Sequence, residues 1–344
     1  MDIIYSEKHK LRDSQTELYG GKLVYPHERP SRLDFILKRV SEVGLGEISD
    51  PDEFGMDPIH KIHDLDFTHF LQMAWGDWQK EGFKGEAIAT NWPARRMSTK
   101  GPSFIEGKLG YYSLASETSI SEGTWESSYA SAQVALTAAE RVRNGERSCF
   151  ALCRPPGHHA TADMYGGYCF LNNAAISAQH LRDTGAGKVA VLDVDFHHGN
   201  GTQDIFYPRN DILFVSLHGD PMEAFPYYLG HADETGSAAG EGYNLNFPMP
   251  PKTTFEVWRK SLQKGLDKIV EFGPDALIVS LGVDTFENDP ISFFKLKSCD
   301  FFSIGSDISE VCLPTLFVME GGYDVAEIGV NVVNTLSGFE GVFS

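Results

Sequence analysis

Six short apolar runs set the limits on how this chain can fold. They are IIYS (3–6), CFALC (149–153), VAVLDV (189–194), ILFVSL (212–217), ALIVSL (276–281) and TLFVME (315–320). None is long enough for a helix of ordinary length. None alternates with polar residues as a strand with one wet face would. Runs of this kind mark parallel strands covered on both faces. Helical patterns stand between them: SAQVALTAAERVRNG (131–145), NAAISAQHLRDTG (173–185), and TTFEVWRKSLQKGLDKIVEFG (253–273). Asn172 or Asn173 can cap the second, and Gly273 can close the third. Strand alternating with helix predicts one α/β domain over 1–344, an open, mostly parallel sheet flanked by helices on both faces.

Polar residues cluster just past the runs. RPPGHH follows CFALC, DFHHGNG follows VAVLDV, HGD follows ILFVSL, GVDTF follows ALIVSL and GGY follows TLFVME. Open α/β sheets bind ligands at the carboxyl ends of their strands. Five loops are therefore expected to converge on one edge. In the first of them Pro155 and Pro156 lack amide protons and favour extended geometry before them, and Gly157 permits a turn. His158 and His159 thus stand on a stiff, shaped loop. Residues 75–128 break the rhythm. They are Gly/Pro-rich, carry Trp75, Trp78 and Trp92, and are expected to be functional or an interface.

The loops carry a recognisable set of chemical groups. Asp195 and His197 are two apart, so an extended segment presents both on one face. Asp284 can join them from another strand end. One imidazole and two carboxylates are a mixed N/O ligand set that zinc accepts with a coordination position left open, and ferrous iron also suits it. No CxxC is present, which argues against a structural zinc knuckle. Two adjacent imidazoles can divide proton work at such a centre. Asp193 and Asn200 are candidate partners behind the two rings, and a carboxylate raises a ring's pKa more than an amide does. Tyr323, after Gly321 and Gly322, can donate to a developing oxyanion. Tyr168 and Phe225 are expected as walls of a narrow apolar channel.

Composition removes other classes. A formal net charge of -19 argues against nucleic acid as a partner, because phosphate binding needs a basic surface. No apolar run approaches the roughly 20 residues that cross a bilayer. The segment MDIIYSEKHK lacks a signal-peptide pattern, so a cytoplasmic protein is expected. The five cysteines imply no disulfide framework, and neither Cys153 nor Cys169 has an activated setting for a cysteine hydrolase.

Taken together, RPPGHHA, GGYCFLNN, DVDFHHGNGTQ, SLHGD, LGVDTF and MEGGY resemble the zinc-dependent histone deacetylase family, within the arginase–deacetylase fold. PHERPSRL (26–33) is similar to that family's N-terminal segment. KLRDSQTELYGGKL (10–23), KGEAIATNWPARR (84–96), SFIEGKLGYY (103–112) and DPISFFKL (289–296) resemble its acetylpolyamine amidohydrolase branch. The resemblance implies Asp195, His197 and Asp284 as zinc ligands, His159 as general base, His158 kept cationic by Asp193, and Tyr323 polarising the carbonyl. Asn200 stands where some members carry Asp. A structural potassium ion is implied at Asp193, Asp195, His197, Ser216 and Leu217. Gly167, Tyr168 and Phe225 are implied at the substrate tunnel, and Glu17, Glu106 and Glu117 as acids favouring small cationic N-acetylated amines. The 75–128 insertion is implied to build a homodimer that narrows the mouth. The rival activity is an acetyl-lysine protein deacetylase. A non-catalytic acetyl-amine binding protein is the rival from another class. A binuclear manganese ureohydrolase would need a further Asp that DFHHGN lacks.

Overall fold

The apolar runs become strands because each has two faces to bury. The computed structural model describes residues 1–96 and 98–341. Met97, inside the 75–128 stretch, and residues 342–344, at the end of the expected 1–344 domain, lie outside the described residues. The strands are β1 (Asp2–Ile4), β2 (Glu17–Tyr19), β3 (Lys22–Val24), β4 (Ile48–Ser49), β5 (Ser148–Ala151), β6 (Val189–Asp193), β7 (Ile212–Gly219), β8 (Asn244–Met249), β9 (Ala276–Leu281) and β10 (Thr315–Met319). The helices are α1 (Ser31–Val43), α2 (Leu65–Lys80), α3 (Ile105–Tyr111), α4 (Thr124–Arg143), α5 (Asn173–Asp183), α6 (Asn200–Phe206), α7 (Phe255–Phe272), α8 (Ser298–Ser309) and α9 (Ile328–Glu340). Eight strands form one sheet in the order β4-β1-β5-β10-β9-β6-β7-β8, and every neighbouring pair is parallel. β2 and β3 make a separate antiparallel hairpin.

Alternate residues of each central strand enter different cores. Cys149, Ala151, Val189, Val191, Ile278 and Val318 pack with α2, α4 and α5. Phe150, Ala190, Leu192, Leu277, Val279 and Phe317 pack with α1, α7, α8 and α9. Helices therefore cover both faces, as the unbroken apolar runs require. The expected caps are in place. The Asn172 side chain accepts the Ala175 amide at the start of α5, and Gly273 closes α7 with φ +64°.

The 75–128 stretch is less irregular than expected. α2 runs into it, α3 lies within it, and α4 begins at Thr124 rather than near 131. The first turns of α4 read as loop because they are rich in serine. Those serines are buried and their hydroxyls have backbone acceptors: Ser127 to Lys8 at 2.9 Å, Ser128 to Thr124 at 2.7 Å and Ser131 to Pro155 at 2.9 Å. No helix among the described residues is long and apolar enough to cross a membrane.

Candidate metal and hydrolase site

The carboxyl edge of the sheet is laced by backbone bonds between loops. Val194 donates to the Ser280 carbonyl at 3.1 Å, Glu320 to Leu281 at 3.0 Å and Val283 to Gly321 at 3.1 Å. The His158 carbonyl accepts Gly201 at 3.0 Å and Thr202 at 3.2 Å. These bonds hold the segments after β5, β6, β9 and β10 against one another.

Asp195, His197 and Asp284 meet there, fully or almost fully buried, with one possible ligand atom of each within 4.8 Å of the others. His197 Nδ1 lies 3.0 Å from Asp284 Oδ2 and 3.4 Å from Asp195 Oδ1. Backbone amides orient both carboxylates. Phe196 donates to Asp284 Oδ1 at 2.7 Å, and Gly321 donates to Asp195 Oδ2 at 2.8 Å. Two glycines make the cradle possible. A Cβ on Gly282 would fall 2.0 Å from Asp195 Oδ2, and one on Gly321 would fall 2.4 Å from that atom and 2.6 Å from Asp284 Oδ2.

The donor set fits a metal cation. Burial, and next the Asp195 charge, push Asp284 up to about 8. Asp195, against the upward push of its own burial, is held well below the carboxylate range by His158 and His197. Asp284 therefore resists ionising beside Asp195, and a cation between the two is what would let both carry charge. A divalent ion meeting this set would find oxygen and nitrogen donors already aimed.

The paired histidines differ in what stands behind them. His158 Nδ1 is 2.9 Å from Asp193 Oδ2, and His159 Nδ1 is 2.7 Å from Asn200 Oδ1. Burial opposes charge on both rings. At His158 the Asp193 and Asp195 carboxylates overcome it and raise the pKa to about 10. At His159 burial, the His158 charge and His197 together push the pKa well below 6.5. One ring is a held cation and its neighbour, 4.0 Å away between centroids, is a neutral imidazole. With Nδ1–H given to Asn200, His159 keeps the Nε2 lone pair free.

A cavity of about 420 Å³ opens onto these groups. His159, His197 and Tyr323 line it, with Gly167, Tyr168 and Phe225. Phe225 stands edge-on to His159 at 5.0 Å, and Tyr168 meets Tyr323 edge-on at 5.5 Å. Gly167 has φ +55°, and a Cβ there would fall 2.2 Å from His159 Cδ2, so only glycine fits against that ring. Carboxylates occupy the same cavity. Glu17 accepts the Tyr168 hydroxyl at 2.7 Å, and Glu117 accepts the Gly167 amide at 2.8 Å. Burial, chiefly, raises the Glu117 pKa, and Glu17 adds to it.

Not every expected residue lines the cavity. Glu106 is exposed on α3 and does not line the cavity, because the buried side of that helix belongs to Ile105 and Leu109. Glu223 does line it and was not expected. It belongs to the same EAFP segment as Phe225, but nothing local separates it from other surface acids. Ser216 is registered with Asp193 across β6 and β7, and its hydroxyl lies 2.8 Å from His218 Nδ1. Leu217 follows it in β7.

The residues of PHERPSRL turn out to brace the site. Glu28 Oε1 accepts from Arg32 at 3.1 Å and from Arg154 at 2.8 Å, all three side chains being buried. Arg32 also donates to the Gly322 carbonyl at 2.7 Å and the Glu320 carbonyl at 2.5 Å, with its guanidinium 4.9 Å from the Tyr323 ring centre. The histidine loop and the tyrosine loop are thus tied to one carboxylate. Glu320 adds a second tie, accepting the Gly157 amide at 2.6 Å and the His158 amide at 3.1 Å. His158, Cys169 and Glu320 form another buried cluster. Burial drives the Cys169 thiol well above its ordinary range and that of Cys153 upward too, so neither is a ready thiolate ligand or nucleophile.

The histone deacetylase domain matches residues 26–339 of this chain. The chain belongs to the histone deacetylase family. Members of this family are metal-dependent, and the candidate ligands are present here. An acetylpolyamine amidohydrolase of Mycoplana ramosa is 54% identical over 341 residues, covering 99% of this chain and 100% of that protein. Acetylpolyamine amidohydrolase 2 of Pseudomonas aeruginosa is 53% identical over 342 residues, 99% of each chain. The crystal structure of an acetylpolyamine aminohydrolase from Burkholderia pseudomallei superposes with a TM-score of 0.94 at 36% identity, covering 98% of both chains.

Proposed function

We propose that this member of the family is an amidohydrolase that removes acetyl groups from small N-acetylated polyamines, giving acetate and the free amine. The cavity carries this reading. It joins His159, His197 and Tyr323 to Glu17, Glu117 and Glu223, and no Lys or Arg is among its described lining residues. An acetyl group at the inner end and an ammonium at the outer end match that polarity. The full-length likeness to relatives named acetylpolyamine amidohydrolases supports it.

Asp195, His197 and Asp284 would hold the metal, which we take to be zinc, with ferrous iron the other choice for these donors. His197 Nδ1 at 3.0 Å from Asp284 and 3.4 Å from Asp195 puts one nitrogen and two carboxylate oxygens close enough to share such an ion. When bound, such an ion supplies Lewis acidity and brings the pKa of a water toward about 7. The protein's own groups do the rest. His159 Nε2 takes the proton of the attacking water. His158, held cationic by Asp193, favours the developing negative charge, and the proton gathered by the pair passes to the leaving nitrogen. The Tyr323 hydroxyl donates to the carbonyl oxygen as it gains charge. Tyr168 and Phe225 confine the alkyl chain. A potassium ion at Asp193, Asp195, His197, Ser216 and Leu217, a homodimer through 75–128 and a cytoplasmic setting belong to the same reading. Trp92 and Phe104 are 41% and 47% exposed on that segment, and all five cysteines are free.

The test compares kcat/KM for acetylputrescine, acetylcadaverine and an acetyl-lysine peptide. Preference for the diamines is expected. Preference for the peptide would make the chain a protein deacetylase.

A further inference from the structure

KGEAIATNWPARR is prominent in the sequence, yet none of its described residues lines the cavity. Its one acid, Glu86, is engaged elsewhere. Glu86 Oε1 accepts the Gln15 amide at 2.7 Å. Glu86 Oε2 accepts the Thr16 amide at 3.0 Å and the hydroxyls of Thr16 at 2.6 Å, Ser14 at 2.7 Å and Ser119 at 3.0 Å. One carboxylate therefore fixes the backbone at 15 and 16 and the side chain of Ser14, and the next residue is Glu17.

The same short segment also holds the other pocket acid. Ala87 donates to the Ile120 carbonyl at 2.9 Å and accepts from the Ile120 amide at 2.8 Å. Ser119 Oγ, besides meeting Glu86, is 2.6 Å from Ser14 Oγ. Glu117 lies just upstream on this strand-like stretch, with its carboxylate on the Gly167 amide. Behind Glu86 the support is rigid. The Trp78 indole of α2 donates to the Gly85 carbonyl at 3.1 Å and stacks on Phe83 at 4.1 Å. Arg12 reinforces the same junction by donating to the Ser119 carbonyl at 2.9 Å.

We propose that Glu86 is a positioning residue for substrate selectivity, fixing the separation of Glu17 and Glu117 so that both meet the distal ammonium of the substrate. The ligand's identity rests on the polyamine reading above. A carboxylate is needed because two backbone amides approach different oxygens of the same group. An amide side chain would turn an NH2 toward one of them and leave it unpaired. Hydrogen bonds from Thr16, Gln15, Ser14 and Ser119 keep Glu86 ionised against its partial burial. The carboxylate is thus committed to the junction and not to substrate.

The experiment is steady-state kinetics of wild type and Glu86→Gln on acetylputrescine and on N-pentylacetamide, a neutral analogue of the same length. KM for acetylputrescine should rise about tenfold with kcat nearly unchanged, while both constants for the neutral analogue hold. In a Glu17→Gln, Glu117→Gln background the further change Glu86→Gln should add nothing. If Glu86→Gln fails to fold, Thr16→Val, which removes a single hydroxyl donor, should show the same KM effect at smaller size. A preference for the charged substrate that survives in Glu86→Gln, or equal losses on both substrates, overturns the inference alone. A wild-type enzyme with no preference for the charged substrate defeats the polyamine reading and this inference with it.

Discussion

Gly167→Ala probes the coupling between the cavity wall and the catalytic base. Two costs follow from the structure. Gly167 has φ +55°, where an L side chain is strained by about 1–2 kcal/mol. The added Cβ would also fall 2.2 Å from His159 Cδ2, whereas ordinary contact begins at 3.4 Å. The ring must retreat by the difference, or the 166–168 turn must move outward and carry Tyr168 with it. The ring has little room, since Phe225 stands 5.0 Å away edge-on and Nδ1 is bound to Asn200 at 2.7 Å. A displacement of about 1 Å in a catalytic geometry costs roughly 100-fold. kcat/KM for the acetylated diamine is therefore expected to fall about 100-fold, while metal content stays at the wild-type level, because Gly167 touches none of the three ligands. Gly185→Ala is the control. Its φ is +125° and a Cβ there meets nothing within 4 Å, so it should lose stability without losing activity. Near wild-type turnover in Gly167→Ala would refute the claim that His159 is held by that contact.

Three further outcomes are expected. Tyr323→Phe should keep its metal and its melting temperature but lose roughly 100- to 1,000-fold in kcat, as removal of an oxyanion donor does. Glu28→Gln should cost about 3–5 kcal/mol in urea unfolding, because Arg32 and Arg154 would be left buried without their shared carboxylate. Acid should destabilise the fold partly through His63. Its burial pushes the pKa from 6.5 down to about 4. The unfolded chain therefore takes that proton first, and between those values stability falls as pH falls. The loss is about 2 kcal/mol at pH 5, and His63→Gln should show a smaller shift of urea midpoint between pH 7 and pH 5.

The sheet was legible where burial on two faces writes a continuous apolar run, as in VAVLDV and ALIVSL. It was not legible at β8, where NLNFPM mixes Asn and Pro with apolar residues at the sheet edge and buries only part of its length. β4 is two residues long and offers no pattern at all. The start of α4 hid behind serines such as Ser127 and Ser131, whose hydroxyls find backbone acceptors at Lys8 and Pro155, far away in sequence. The same division holds at the site. Asp195, His197, Asp284 and the histidine pair could be read because each stands just past a strand, and the topology brings those ends together. The roles of Glu28, Arg32 and Glu86 were hidden because each depends on partners that only the tertiary structure supplies. Glu106 shows the converse: a motif resemblance drew attention to a residue that the fold leaves outside this protomer's cavity.

The most direct test of the account is elemental analysis of the purified wild-type chain beside Asp195→Asn, His197→Ala and Asp284→Asn. One tightly held transition metal per chain in the wild type, lost from each variant together with deacetylation, is the predicted result. Two metals per chain, or full metal retention in variants of all three residues, would contradict it.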